Sequence, residues 1–259
     1  MALIVIPIAL IVQIVVLLII FYIIGKKIGD YPMKLEEIRK PTREIIETIF
    51  VWILIFVVLV YSMLQLYFMK TLPFFVIYLF GFPIDMYFIS TVLLSIIFLR
   101  VWKKGRDRKD AGFNIPRNLK NSILMVTIFV IYSIGIFFFL GGEKTSIFAL
   151  LYGIINPAII EELIARSLIT SKLERALEIK KAWFFGGLLF GMLHIPIDFF
   201  GYNWFAYGQQ IMIAIALLAA QIISGWIFCI IFIKTRSIIP CILVHYIFDF
   251  LPSLLATLL

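Results

Sequence analysis

Apolar runs of about 20 residues recur along the chain, separated by short polar or basic stretches. A helix of that length crosses the roughly 30 Å hydrocarbon core of a bilayer. The pattern predicts eight spans, over residues 3–24, 49–69, 76–99, 122–141, 146–170, 182–200, 209–233 and 238–258. Alternating strand patterns of the kind that build an outer-membrane barrel do not occur. The expected fold class is therefore all-α: a polytopic integral membrane helix bundle of about eight transmembrane helices, one membrane domain over 1–259. Residues 1–145 supply N-terminal helices and loops, and 146–259 the helices that carry candidate chemistry.

Between the spans, residues 28–48 mix charges with spaced apolar positions, the pattern of an interfacial helix. The stretch 103–121 reads as a polar loop with Gly and Pro breakers. Region 70–86, with Pro73, Gly81, Pro83 and Asp85, is too interrupted for a regular helix and suggests a re-entrant segment or a kinked entry into the third span. The first apolar stretch has no basic leader and no A-x-A-like site before Lys26, so it reads as a retained span.

Composition supports the membrane reading: 63% of residues are hydrophobic and only 15% charged. The net charge of +8 is a topology signal. Of the 23 basic residues, all but Lys70, Lys144 and Arg166 fall on or beside alternate connections, the first holding Lys26 to Arg43 and the second Arg100 to Lys120. The third holds Lys172 to Lys181 and the fourth Lys234 and Arg236. The positive-inside rule puts these loops in the cytoplasm and both termini outside. In a prokaryote the membrane would be the plasma membrane. Membrane lipids are the expected partners of this charge, and nucleic acid is not. Cys229 and Cys241 lie inside spans without metal spacing and read as small apolar core residues.

Ionisable groups inside spans are costly and usually mark function. The chain has two histidines, His194 and His245, and both lie in apolar segments. A third segment holds Glu161, Glu162 and Arg166. Adjacent helical residues diverge by about 100°, so the two carboxylates point in different directions. Glu162 and Arg166 are spaced i, i+4 and can pair, which leaves Glu161 without a local partner. Pro157, one turn earlier, removes a helical hydrogen bond and should bend the helix there. Phe190 shares a face with His194, and Gly186, Gly187 and Gly191 permit close helix approach. Asp198 is i+4 from His194 and Asp249 is i+4 from His245, spacings that allow each acid to orient its imidazole.

Counted from the basic loops, Glu161, His194 and His245 all lie roughly 14–18 Å into the membrane at 1.5 Å per residue. A carboxylate and an imidazole in one layer suit the activation of a water for attack on a carbonyl. A second imidazole with a neighbouring donor can stabilise the oxyanion. No G-x-S-x-G sequence and no cysteine nucleophile compete with this reading. The H-E-x-x-H zinc helix is likewise missing.

The segment Glu161 to Arg166, EELIAR, matches the E-E-x-x-x-R motif of the type II CAAX prenyl endopeptidases, also called the CAAX protease and bacteriocin-processing family. FGMLH, Phe190 to His194, resembles that family's F-x-x-x-H motif, and HYIFD, His245 to Asp249, its H-x-x-x-N/D motif. The resemblance covers about residues 146–252. It implies an intramembrane glutamic-type endopeptidase without cofactor or catalytic metal. Glu161 and His194 would activate the water, His245 and Asp249 would line the oxyanion hole, and Glu162, Arg166 and Phe190 would support the site. The substrate it implies is a peptide or protein, prenylated at a C-terminal cysteine in eukaryotic relatives, which remove the last three residues. The site would open toward the cytoplasm. Asp249 stands where Asn is common, and an acid donates to an oxyanion only when protonated. Its alternative role is to orient His245. Competing readings are a zinc-dependent intramembrane protease, a transporter using buried Glu and His as a relay, and a scaffold without enzymatic activity.

Overall fold

The structure, a computed structural model, describes residues 2–32, 41–64, 77–79, 82–84, 108–199 and 211–259. Seven helices among the described residues are long and apolar enough to cross a membrane. They are α1 (Ala2–Lys26), α2 (Pro41–Met63), α3 (Leu119–Leu140), α4 (Ile147–Ala176), α5 (Ile179–Leu193), α6 (Ile211–Thr235) and α7 (Ile239–Leu258). A helical membrane bundle is thus the fold, with a count close to the eight expected. Apolar side chains such as Ile11, Ile131, Phe138 and Phe148 stand exposed on its outside. Such a surface suits lipid, which costs an apolar side chain nothing.

Two expectations need correction. The span drawn over 76–99 begins instead with a short antiparallel hairpin, Ile77–Leu79 (β1) paired with Phe82–Ile84 (β2), and its remainder lies outside the described residues. Pro83 sits in β2, where a missing N–H is tolerated because such a short ribbon has free edges. The interfacial helix expected over 28–48 does not form as one element. Residues 28–32 are non-helical and 41–48 are the first turns of α2. Pro41 explains the early start: at the first helical position its missing N–H would find no partner anyway. From Arg108, the polar loop makes one 3₁₀ turn (Arg108–Ala111) and ends at Asn118. The Asn118 side chain caps α3 by accepting from the Asn121 N–H at 3.0 Å.

Helix α6 is the axis of the bundle. From Ile227 to Thr235 every one of its residues is buried, as expected for a helix that is apolar all round. One apolar core joins it to α1, α3 and α7, including Leu17, Phe129, Phe228 and Val244. A second core joins α2, α4 and α5, including Ile55, Ile164 and Leu193. At the basic end, Lys234 Nζ shares its three hydrogens among the carbonyls of Ile24, Gly25, Ile28 and Gly29 at 2.8–3.0 Å, which closes the C-terminus of α1 with a cation. Arg236 pairs with buried Glu174 at 2.5 Å and Lys172 with Glu47 at 2.5 Å. Some of the residues behind the positive-inside pattern therefore also tie helix ends together.

The contact between α5 and α6 sets the position of His194. A Cβ at Gly191 would lie 2.3 Å from Ile222 Cγ1 and 2.8 Å from its backbone, so only glycine permits this approach. Gly191→Ala should therefore force the helices apart and destabilise the protein by about 1–3 kcal/mol. Thermal unfolding in detergent will show this as a lowered midpoint.

Candidate active site

Helix α4 is broken where Pro157 requires it. Asn156 leaves the helical region at φ −131° and ψ 115°, which kinks the chain there, and wide π-type turns follow through 163–170. The bend sits one turn before the paired glutamates, as the sequence suggests. Beyond it, Glu161 and Glu162 diverge. Glu162 is fully buried and turns toward α6 and α7, whereas Glu161 lies at the wall of a cavity.

Glu162 and Arg166 form a buried ion pair: Nη2 donates to Oε1 at 3.2 Å, and Nε lies 2.9 Å from Oε2 without hydrogen-bond alignment. Neither side chain is exposed. The guanidinium is also held between two rings, 4.5 Å from the centre of Phe190 and 5.3 Å from that of Phe228. Its Nη1 points to Cys229 Sγ at 3.7 Å. Both cysteines are free and buried, as expected, but Cys229 also touches this charge.

The Glu162 carboxylate has a second partner on α7. His245 Nδ1 faces its Oε1 at 2.9 Å, so that nitrogen carries a hydrogen and donates. The other ring nitrogen, Nε2, faces Asp249 Oδ2 at 3.2 Å and Glu161 Oε2 at 3.9 Å. With Nδ1–H committed, Nε2 and Asp249 would be two acceptors in contact unless a proton lies between them. The arrangement therefore stores a proton beside the cavity.

His194 ends the α-helical part of α5. Its Nδ1 faces the Phe190 carbonyl at 3.1 Å, and a carbonyl only accepts, so Nδ1 carries the hydrogen. In the neutral ring this leaves the Nε2 lone pair directed at Glu161 Oε2, 3.8 Å away. Asp198, expected as a possible orienting partner for His194, makes its contact through the backbone: its N–H donates to the His194 carbonyl at 2.8 Å. The Phe190 carbonyl holds the imidazole instead. Phe190 thus touches three site members: its ring centre is 4.9 Å from that of His194, 6.2 Å from that of His245, and lies against Arg166.

These groups surround a cavity of about 370 Å³ lined by Glu161, His194, Asp198, His245 and Asp249, with Gln221, Ser224 and Phe228 from α6. On its other side Glu161 abuts Leu59, Ile164 and Leu193, an apolar wall that sets the carboxylate at a boundary between dry and polar space. The α6 contribution was missed in the sequence. Its signal was present: Gln221 and Ser224 are polar, spaced i, i+3, in an apolar helix. Among the described residues no group of three His, Cys, Asp or Glu side chains is placed to hold a metal ion.

Residues 143–251 match the family model of the type II CAAX prenyl endopeptidases, Rce1-like. The match takes in every residue of the cluster just described. No curated protein and no solved structure matches the chain.

Proposed function

We propose that the chain hydrolyses a peptide bond with a water held by Glu161 and His194, a reading supported by the match of residues 143–251 to the Rce1-like type II CAAX prenyl endopeptidase model in a chain with seven membrane-length helices among its described residues. The observation that carries this reading is the spacing of Glu161 Oε2, 3.8 Å from His194 Nε2 and 3.9 Å from His245 Nε2 at the cavity wall. Polar atoms this far apart make poor direct hydrogen bonds and suit a bridging water. The water oxygen attacks the carbonyl carbon as Glu161 accepts its proton, with the His194 lone pair fixing its orientation. The proton shared by His245 and Asp249 faces the oxyanion as it forms. When the C–N bond breaks, Glu161 returns its proton to the leaving amine. A carboxylic acid and an amine result, and transfer of the acid's proton to the amine leaves a carboxylate and an ammonium.

Glu162, Arg166 and Phe190 act behind this group, holding His245 and His194 in register. The substrate class that fits the family is a membrane-associated peptide of the CAAX type, prenylated at its cysteine and entering from the cytoplasmic side. Both termini then face outside. The basic helix ends around Lys172, Arg175 and Arg236 support this orientation. Purified protein in detergent should release the C-terminal tripeptide from a farnesylated CAAX peptide, read by mass spectrometry, and process the unmodified peptide more slowly. Equal rates on both would remove the prenyl group from the proposal while leaving the endopeptidase.

Asp249→Asn should keep kcat within about tenfold of wild type, because the amide offers a hydrogen in the same place, whereas Asp249→Ala should lose about 10²–10³-fold. A folded but inactive Asn variant would assign Asp249 to orienting His245 rather than to the oxyanion.

A further inference from the structure

One acid in the cavity has no task in this scheme. Asp198 is buried, 2% exposed, and its Oδ2 has no hydrogen-bond partner among the described residues. A buried carboxylate oxygen left unpaired is costly, and natural structures keep such groups for a reason. Three further features define the surroundings of this one. It lines the same cavity as Glu161, His194 and His245. Its backbone N–H donates to the His194 carbonyl at 2.8 Å, so it stands one helical turn beyond the imidazole, about 6 Å along the axis. No lysine or arginine is among the described residues lining the cavity.

A peptide entering a site at membrane depth has the complementary deficit. Its backbone N–H groups leave water and must each find an acceptor. Bound in an extended form, alternate N–H groups on one edge of the segment face the same wall, about 6.5–7 Å apart. That repeat is close to the offset between His194 and Asp198. We infer that Asp198 is a substrate-binding residue: Oδ2 accepts a backbone N–H of the peptide, one dipeptide step from the bond that Glu161 attacks. The inference rests on the endopeptidase reading and deepens it by naming how the peptide is held. It also sets a preference. With Glu161, Asp198 and Asp249 lining one cavity, acidic side chains beside the scissile bond should be rejected and neutral ones accepted.

The test uses the full chain in detergent with a farnesylated CAAX peptide and a set of the same peptide N-methylated at one backbone position at a time. Asp198→Ala should raise KM tenfold or more while kcat stays within about threefold, and Asp198→Asn, which keeps an acceptor oxygen, should restore KM. One N-methyl position should raise KM for wild type and leave the Asp198→Ala variant unaffected. The midpoint of thermal unfolding should be unchanged or higher in Asp198→Ala, since no internal bond is lost. A KM equal to wild type, an effect confined to kcat, or a lowered midpoint would overturn the assignment without touching the endopeptidase reading. Binding to the Glu161→Gln background, followed by fluorescence of a labelled peptide, separates the two: equal affinity with and without Asp198 overturns the inference even where cleavage fails. A peptide that wild type neither binds nor cleaves overturns both.

Discussion

Replacing Arg166 with methionine should cost about 3–5 kcal/mol of stability, the penalty for leaving a buried charge without its partner. Glu162 and Arg166 are both fully shielded, and their carboxylate and guanidinium meet at 2.9 and 3.2 Å. Removing the cation leaves Glu162 with His245 Nδ1, at 2.9 Å, as its remaining partner among the described residues. Neither side chain is exposed in the folded protein, so solvent does not screen the charge that remains. The thermal midpoint in detergent should fall by on the order of 10 °C, given roughly 2–4 °C per kcal/mol for a chain of this size. The double variant Glu162→Gln with Arg166→Met should recover much of that loss, because a neutral pair no longer carries a stranded charge. Its activity should stay low, since His245 has lost its anchor. A wild-type midpoint in Arg166→Met would show that the pair is not a structural keystone.

Glu161→Gln should do the opposite: leave the fold intact and lower kcat by about 10²–10⁴-fold. Glutamine has the same shape but cannot take a proton from water. The carboxylate's nearest basic atoms lie 3.8 and 3.9 Å away, too far for strong direct bonds, so little stability depends on it. KM should change little, and the unfolding midpoint should match wild type. The expected contrast between two adjacent glutamates follows from their divergence on α4.

That divergence was legible in the sequence because it is a property of helix geometry alone. So was the i, i+4 pairing of Glu162 with Arg166, and the bend at Pro157, both local. Long-range partners were not. His245 lies 83 residues from Glu162, and nothing in spacing along one helix reveals that α7 brings its Nδ1 to the Glu162 carboxylate. The same limit hid Phe228 and Gln221 on α6, whose approach depends on glycines of α5 meeting its backbone. Local rules also leave options open. The i+4 spacing allows Asp198 to orient His194 or to reach water at the end of the span, and in the structure the imidazole Nδ1 faces the Phe190 carbonyl as the α-helix ends. Charge among spaced apolar residues suggested an interfacial helix over 28–48, and Pro41 instead starts α2 there.

The most direct measurement is a single-turnover cleavage assay of a farnesylated CAAX peptide with wild type, Glu161→Gln and His194→Ala, each shown to be folded by its thermal midpoint. The proposed mechanism predicts a new C-terminus at the modified cysteine for wild type and a loss of at least a hundredfold in each variant. Cleavage that survives in folded Glu161→Gln would contradict water activation by this carboxylate.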